Sequence, residues 1–278
     1  MITEKLYENI KSKSVVCVGL DTDINYIPEE FSGKFENKCD AVLEYNKRII
    51  DSTYDIAACY KVQIAYYESM GIKGMKVYSD TLKYIKSKNL VAISDIKRGD
   101  IGATAEKYAK AHFSGDFETD MITVNPYMGT DTLKPYYPYL ESKGIFVLVR
   151  TSNPGSGDFQ LLKTENGKLY SEIAEKIKSE GMKYTDKNGI SQIGMVIGCT
   201  HKEEAEKIRY ENPGSLFLIP GYGAQGGEAE TVKILLGKNR LGVVNSSRAI
   251  LTAYKKFKTD EFDTAARKEV NEMKEKFI

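Results

Sequence analysis

Residues 90–104 read LVAISDIKRGDIGAT, an apolar run that passes abruptly into alternating charges and glycines. The run Leu90–Ser94 has the length and composition of a buried strand. Asp95 and Lys97 are two residues apart, so in extended backbone their side chains project to the same side. The glycines that follow permit a sharp turn, and Thr104 is placed to open the next helix. The stretch therefore predicts a strand, a charged loop and a helix, which together form the repeating unit of an α/β fold.

The same alternation of an apolar run and a helical pattern repeats along the chain. Each run is nearly continuously apolar, which is typical of parallel strands covered on both faces. The predicted strands are Val15–Leu20, Ile56–Val62, Leu90–Ser94, Met121–Val124, Ile145–Val149, Gly194–Ile197, Leu216–Ile219 and Gly242–Val244. The predicted helices are Cys39–Asp51, Tyr66–Lys88, Ala103–Phe113, Thr130–Ser142, Lys168–Glu180, Lys202–Tyr210, Gly227–Leu236 and Arg248–Lys256. These units predict a single α/β domain over residues 1–278, a (β/α)8 TIM barrel with extra terminal helices at Thr3–Lys11 and Thr259–Phe277.

Polar residues end most of the predicted strands. They are Asp21, Lys61, Asp95 with Lys97, Thr151 with Ser152, Pro220 with Gly221, and Asn245 to Arg248. In barrels of this type the C-terminal strand ends and the loops after them form the active site. One charged residue at a strand end is often a cap, and Asp95 with Lys97 alone could be a solvated salt bridge of little energetic value. The recurrence at several strand ends favours a shared pocket, where such charges shift one another's protonation.

The composition limits the classes of function. The 278 residues include 40 Lys and Arg against 39 Asp and Glu, a formal charge of +1, and 41% of them are hydrophobic. This near balance argues against a nucleic-acid partner or a polybasic membrane binder, which carry an excess of basic residues. No apolar stretch approaches the length of about 18 residues that a membrane span needs. The first residues carry acids without an apolar run, so we expect a cytoplasmic protein without a signal peptide.

The cysteines and histidines offer little catalytic or metal chemistry. The four cysteines form no Cys-x-x-Cys pair and there are only two histidines, so a zinc site is not expected. Cys17 and Cys59 lie in apolar runs and are predicted to be small buried hydrophobic residues. His201 follows Cys199 closely, but closeness in sequence is weak evidence for a nucleophile and its base. The chemistry is therefore expected from Lys, Asp, Arg and backbone groups.

The charged stretch resembles a family signature. Asp95-x-Lys97-x-x-Asp100, followed by Ile101-Gly102-x-Thr104, is similar to that of the orotidine 5′-phosphate decarboxylases, and its wording to their longer bacterial, type 2 branch. Five other segments resemble the family in the same order: Val18–Asp21, Tyr60–Gln63, Arg150–Gly155, Pro220–Gly227 and Asn245–Arg248. This chain departs from the pattern at Ser247, where shorter members usually have glycine. It also departs in two insertions, 155–166 and 184–191, to which the sequence assigns no role.

The resemblance implies a homodimeric barrel that converts orotidine 5′-monophosphate to uridine 5′-monophosphate and carbon dioxide in pyrimidine biosynthesis, without metal or cofactor. Lys97 would stabilise the developing carbanion and deliver a proton to it. Asp95 would lie beside the departing carboxylate, and Lys61 and Asp100 would complete an alternating array that directs Lys97. Without a cofactor, the catalytic help has to be electrostatic or drawn from binding energy elsewhere on the substrate.

The resemblance also implies binding roles. Three residues would serve the site of the neighbouring subunit: Asp100, Ile101 and Thr104. Asp21 would bind the ribose hydroxyls and Ser152 the edge of the pyrimidine. The phosphate would be held after the seventh and eighth strands by Pro220, Tyr222, Gln225, Ser247 and Arg248. The glycine-rich segment Gly221–Glu228 is predicted to close over the phosphate as a lid.

Three rival functions fit the sequence less well than the decarboxylase. A sugar-phosphate decarboxylase or aldolase of the same barrel group shares the Asp-x-Lys-x-x-Asp run, but it uses Mg²⁺ held by an acid where this chain has Lys61. A Schiff-base aldolase using Lys61 or Lys97 needs a lowered lysine pKa, whereas flanking aspartates raise it. A catalytically inactive nucleotide-binding protein has no use for a carboxylate beside the substrate's own. The sequence therefore favours the decarboxylase.

Overall fold

The computed structural model describes residues 1–223 and 226–277. Within those ranges eight parallel strands close into a barrel, in which each strand pairs with the next along the chain and the last pairs with the first. The strands, numbered β1 to β8, are Val16–Gly19, Cys59–Gln63, Ala92–Arg98, Met121–Val124, Gly144–Arg150, Ile193–Ile197, Phe217–Ile219 and Gly242–Ser246. All eight predicted strands are present, and the predicted (β/α)8 TIM barrel is confirmed.

Helices surround the barrel and extend it at both termini. The α-helices are Ile2–Ser12, Glu29–Ser32, Lys38–Thr53, Ile64–Glu68, Gly71–Ser87, Gly102–Phe113, Gly157–Gln160, Leu169–Gly181, Lys202–Glu211, Ala229–Leu236, Arg248–Leu251, Ala253–Phe257 and Phe262–Phe277. Short 3₁₀ segments lie at Ile24–Tyr26, Thr130–Tyr139 and Pro154–Ser156. In the described ranges, none of the helices combines the length and the apolar character needed to cross a membrane.

Three of the predicted helices were wrong in detail. The segment predicted as an α-helix at Thr130–Ser142 is a 3₁₀ helix that ends at Tyr139 and contains Pro135 and Pro138. Proline lacks the N–H that an α-helical ladder needs, so the two prolines account for the change. The long helix predicted at Tyr66–Lys88 is divided before Gly71, which has a positive φ of 71°. The last barrel helix, predicted at Arg248–Lys256, is divided at Thr252.

The insertion at 184–191 fastens the N-terminal helix across one end of the barrel. One oxygen of Asp186 accepts the backbone N–H groups of Asn188 and Ile190, at 2.8 and 3.0 Å. The other oxygen accepts the hydroxyl of Thr3 at 2.9 Å. This turn leads directly into the start of β6, so it closes the end of the barrel that faces away from the C-terminal strand ends. The opposite end remains open to ligands.

Candidate active site

A cavity of about 690 Å³ opens at the C-terminal ends of the barrel strands. It brings together nine of the residues that the sequence selected, from six different strands or the loops after them: Asp21, Lys61, Asp95, Lys97, Ser152, Pro220, Tyr222, Ser247 and Arg248. Aliphatic side chains from three adjacent strands contribute an apolar part of the wall: Leu148, Val196 and Leu218. The cavity therefore combines charged side chains with an apolar part of its wall.

Four charged side chains form an alternating array in this cavity. The Nζ of Lys61 lies 3.1 Å from an oxygen of Asp21 and 3.1 Å from an oxygen of Asp95. The other oxygen of Asp95 lies 2.6 Å from the Nζ of Lys97. The order within this chain is therefore Asp21, Lys61, Asp95, Lys97, and Asp21 takes a place in the array that the sequence did not give it.

Burial and charge act in opposite directions on the centre of the array. Burial alone would lower the pKa of Lys61, but the carboxylates of Asp21 and Asp95 raise it above its ordinary value. Burial alone would raise the pKa of Asp95, but the ammonium groups of Lys61 and Lys97 hold it well below its usual range. Both groups are therefore charged at neutral pH. A buried, fully charged carboxylate faces the place where a ligand would lie.

The Asp95→Asn variant should reveal this ionisation as a pH-dependent loss of stability. The change keeps the side-chain shape but removes countercharge from buried Lys61, so we expect the free energy of unfolding at pH 7 to fall by about 3 kcal/mol. The folded pKa of Asp95 lies below the unfolded value of about 4, so the charge stabilises the fold above that value. The contribution is lost as the pH falls below it. Urea unfolding should thus show a difference from wild type that shrinks below about pH 4; a difference independent of pH would contradict this ionisation.

Two neutral side chains that the site prediction omitted complete the surroundings of Asp95. The amide nitrogen of Gln63 donates to one carboxylate oxygen at 2.7 Å, and the hydroxyl of Thr123 donates to the other at 2.8 Å. Both residues line the cavity. The only signal in the sequence was a polar residue at or near the C-terminal end of an otherwise apolar strand.

Asp21 and Ser247 are linked across the junction of β1 and β8. The hydroxyl of Ser247 donates to the second oxygen of Asp21 at 2.9 Å. Gly19 lies against this hydroxyl so closely that a Cβ added at residue 19 would stand 1.9 Å from it. Residue 19 must therefore be glycine if residue 247 carries a side chain in this position. The departure from the family pattern at Ser247 thus has a structural counterpart, a hydroxyl that holds the Asp21 carboxylate.

The insertion at 155–166 contributes to the wall of the cavity beside Ser152. It contains the 3₁₀ turn Pro154–Ser156, the helix Gly157–Gln160 and the start of a small antiparallel hairpin. The side-chain oxygen of Gln160 accepts the backbone N–H of Thr151 at 2.9 Å, and its nitrogen donates to the Thr151 hydroxyl at 2.9 Å. Gln160 itself lines the cavity. The insertion therefore braces the segment that precedes Ser152, a placement that nothing in the sequence indicated.

The glycine-rich loop after β7 and the end of β8 form the outer rim of the cavity. Gly221 and Gly223 have positive φ angles of 94° and 73°, which favour glycine and permit the tight course of the loop. The ring of Tyr222 packs edge-on against Phe277 at 5.0 Å between centroids. Arg248 is exposed at the rim. Gln225, with its neighbour Ala224, lies outside the described residues, as does that part of the predicted lid.

Asp100, Ile101 and Thr104 lie on the segment that follows β3, outside the described lining of the cavity in this chain. Asp100 accepts the backbone N–H of Ile101 at 2.8 Å. The side chain of Ile101 is 58% exposed, and Thr104 is exposed on the first turn of the helix Gly102–Phe113. Of the predicted catalytic residues, the structure brings together Lys61, Asp95 and Lys97 but leaves Asp100 apart from them.

The burial predicted for two of the four cysteines is confirmed. Cys17 and Cys59 are buried in the barrel. Burial raises the pKa of the Cys199 thiol to about 11 and lowers the pKa of His112 to about 4, so both side chains are neutral at pH 7. Over residues 1–223 and 226–277, no group of three or more His, Cys, Asp and Glu side chains is arranged to hold a metal ion. A neutral buried thiol is a poor nucleophile, which argues against Cys199 in that role.

The chain is similar to known proteins over the segments that form this site. The model of the orotidine 5′-phosphate decarboxylase / HUMPS family matches residues 14–259. An orotidine 5′-phosphate decarboxylase of Clostridium botulinum is 56% identical over 279 residues, which cover 99% of this chain and 98% of that protein. The match therefore includes the whole barrel and every segment that contributes to the cavity.

Solved structures agree in fold over nearly the whole chain. The structure of Leishmania donovani OMP decarboxylase gives a TM-score of 0.75 at 29% identity, over 98% of this chain and 97% of that one. Leishmania donovani UMP synthase gives a TM-score of 0.78 at 31% identity, over 97% of this chain and 55% of that one. This chain thus spans about half the length of that longer protein. By its family match, its identity to curated relatives and its fold, the chain belongs to the orotidine 5′-phosphate decarboxylase / HUMPS family.

Proposed function

We propose that this chain is an enzyme that decarboxylates orotidine 5′-monophosphate to uridine 5′-monophosphate and carbon dioxide, as a step of pyrimidine biosynthesis in the cytoplasm. The observation that carries the proposal is the array in which Asp95, buried and charged, pairs with Lys97 at 2.6 Å at the open end of the barrel. Curated relatives at more than half identity bear the name of this enzyme. The array supplies the charges that the reaction needs.

The reaction leaves a carbanion at a ring carbon that has no conjugation to spread the charge. Lys97 lines the cavity, and its side chain is 48% exposed. Its ammonium group can therefore reach that carbon, where it stabilises the negative charge and donates a proton. Asp95 beside it repels the substrate carboxylate, and this repulsion is relieved as neutral carbon dioxide departs. Lys61, held between two carboxylates, keeps Asp95 ionised and fixed in direction. The work of these residues is electrostatic preorganisation, with no covalent intermediate.

The Mg²⁺-dependent sugar-phosphate enzymes are the rival within the same barrel group, and the donor set argues against them. The Lys61 ammonium lies at 3.1 Å from both Asp21 and Asp95, where a divalent cation would have to bind these carboxylates. A cation in that place would be repelled by Lys61 and would compete with it for both ligands. The residues therefore do not suit a metal, and the proposed reaction uses neither metal nor cofactor.

The proposed contacts with the ribose, the pyrimidine and the phosphate lie along the cavity between Asp21 and the rim. Asp21 binds the ribose hydroxyls, and Ser152, braced by the neighbouring insertion, binds the pyrimidine edge. The phosphate is held at the rim by Tyr222, Gln225 and Arg248, with Pro220 and Ser247 shaping the segments that carry them. A guanidinium binds phosphate through two parallel hydrogen bonds, so exposed Arg248 suits this place.

We also propose that the active form is a homodimer in which Asp100, Ile101 and Thr104 enter the site of the partner. Around this segment, large apolar side chains are exposed: Ile101 at 58%, Tyr127 at 82% and Met128 at 49%. The loops that carry them follow β3 and β4, which are neighbours in the barrel. Exposed apolar residues grouped in this way favour an interface beside the cavity.

The direct test is turnover of orotidine 5′-monophosphate by purified protein that has been treated with EDTA. The near-ultraviolet absorbance of the substrate should disappear, and uridine 5′-monophosphate and carbon dioxide should form in equal amounts. Because the charges that act belong to the protein, the rate after EDTA treatment should equal the rate before it. Added Mg²⁺ should leave the rate unchanged.

Two results would overturn the proposal. One is a lack of turnover by folded protein, and the other is turnover that depends fully on added Mg²⁺. A parallel assay with a ketohexose 6-phosphate tests the sugar-phosphate rival directly and should give no product. Lys61→Glu, which would restore an acid at the end of β2, should abolish the decarboxylation.

A further inference from the structure

The backbone at Lys97 has an unusual conformation for a non-glycine residue. Its φ angle is +44°, in the left-handed region where a Cβ crowds the following carbonyl. The pairing of β3 with β4 shifts its register between Ser94 and Arg98, as expected of a bulge at this point. Bulges redirect a side chain, and a strained residue persists only where its neighbours hold it. Something must therefore stabilise this turn of the chain.

The hydroxyl of Thr123 on β4 makes the contacts that stabilise the backbone at Lys97. Its oxygen accepts the backbone N–H groups of Ile96 and Lys97, each at 3.0 Å. The same hydroxyl donates to the oxygen of Asp95 that binds the Lys97 ammonium. The side chain is 1% exposed, and threonine is branched at Cβ, so few rotamers are open to it. One rigid, buried group thus touches the backbone of Lys97 and the partner of its ammonium.

We propose that Thr123 is a positioning residue that fixes the Lys97 ammonium against Asp95 by holding the bulge in the left-handed conformation. The inference rests on the proposed function, because it concerns the direction of the proposed proton donor. Without the hydroxyl, the two N–H groups lose their acceptor and the bulge can relax toward regular strand pairing. A regular strand would carry the Lys97 ammonium to a different position in the cavity.

The Thr123→Val variant removes the hydroxyl and keeps the shape of the side chain. We expect kcat for orotidine 5′-monophosphate to fall by about 100-fold, since displacing a reacting group by about 1 Å has an effect of this order. KM should change by less than about threefold, because the proposed ribose and phosphate contacts lie elsewhere. Thr123→Ser restores the hydroxyl and should recover most of kcat. Thr123→Ala, which lets water reach the freed N–H groups, gives a second hydroxyl-free variant with the same expected direction.

Thr119→Val is the matched control. Thr119 is also a buried threonine, and it precedes β4 by two residues, but its hydroxyl donates to the carbonyl of Ala92 at the far end of β3, at 3.1 Å. The control removes one buried hydrogen bond between β3 and the segment that leads into β4, so its melting temperature should fall, while kcat stays at the wild-type value. Equal kcat in Thr123→Val and Thr119→Val, or no rescue by Thr123→Ser, would overturn the inference.

Amide hydrogen exchange tests the same contact without substrate. The N–H groups of Ile96 and Lys97 should exchange at least about tenfold faster in Thr123→Val than in wild type, and Thr119→Val should leave them protected. Unchanged exchange in Thr123→Val would count against the inference even if the protein turned over a different substrate. The wild type could instead fail in the decarboxylation assay while exchange in Thr123→Val is faster as expected. That pair of results would count against the proposed function alone.

Discussion

Replacing Lys97 with alanine is expected to lower kcat/KM for orotidine 5′-monophosphate by about 10⁵-fold. The ammonium has two proposed tasks, stabilising the carbanion and donating the proton, and groups with one of these tasks contribute about 10²- to 10⁴-fold each. Lys61 does not replace it, because Lys61 is bound to both Asp21 and Asp95 and is buried. Kinetic assays of the variant under saturating and limiting substrate would measure the loss.

The same substitution should leave the fold intact, so that lost activity is not lost structure. The side chain of Lys97 is 48% exposed, and without it Asp95 keeps its bonds to Lys61, Gln63 and Thr123. We therefore expect a melting temperature within about 3 °C of wild type, which corresponds to about 1 kcal/mol for a chain of this size.

A variant that separates charge from proton donation sharpens the test. Lys97→Arg keeps a cation but replaces the donor with a group that does not release its proton at neutral pH. It should therefore remain far below wild type. Lys76→Ala, at an exposed lysine paired with Asp80 on the outer helix Gly71–Ser87, is the control and should retain full activity. Retention of even a tenth of the wild-type rate by Lys97→Ala would remove Lys97 from its proposed role.

The barrel could be predicted from the sequence because each of its strands can be recognised from its own residues. Each strand is buried on both faces, so each is a short continuous apolar run, and a run such as Met121–Val124 was predicted with the bounds that the structure has. The helices were less regular where local chemistry interrupts them. The prolines at 135 and 138 impose a 3₁₀ course on a segment whose apolar spacing suggested an α-helix.

The part of the site that could be predicted is the set of residues at the C-terminal strand ends, which meet at one edge of the barrel. That rule gathered Asp21, Lys61 and Asp95 correctly, because parallel strands in a closed barrel end on the same side. The spacing of Asp95 and Lys97 predicted that their side chains project to the same side of an extended strand. The structure has the two groups in contact at 2.6 Å, but through a bulge that the spacing did not predict. A left-handed lysine has no signature in sequence, since its cause is a hydroxyl on the neighbouring strand. A hydrogen bond between side chain and backbone on two different strands leaves no pattern in the sequence, so it could not be predicted.

The second large effect concerns Asp100, which lies apart from the array within one chain. Its segment follows β3 directly, and the neighbouring Ile101 is exposed. In the proposed homodimer a second copy docks at this segment, and the Asp100 carboxylate enters the partner's cavity. The proposed array would then alternate through two chains, with Asp100 of one beside Lys97 of the other. Asp100→Ala should consequently inactivate both sites of a dimer, and so should Lys97→Ala.

Mixing these two inactive variants should restore activity. A hybrid dimer has one site with both Lys97 and Asp100 intact and one site that lacks both. Random exchange of equal amounts makes about half of the dimers hybrids, so activity should rise to about a quarter of the wild-type value. Because each parent is expected to be reduced by about 10²-fold or more, such a recovery is far above the background. Exchange itself can be followed with subunits that carry different affinity tags.

The control mixture is Lys97→Ala with Asp95→Ala. Asp95 and Lys97 contact each other within one chain, so every site of that hybrid still lacks one of the two residues and no activity should return. Recovery in this control would mean that the chains exchange whole segments, and the first result would then say nothing about Asp100. If exchange is demonstrated and the Asp100→Ala mixture stays inactive, Asp100 does not act across the interface, and the array of Asp21, Lys61, Asp95 and Lys97 would have to serve as the complete charged site of a single chain.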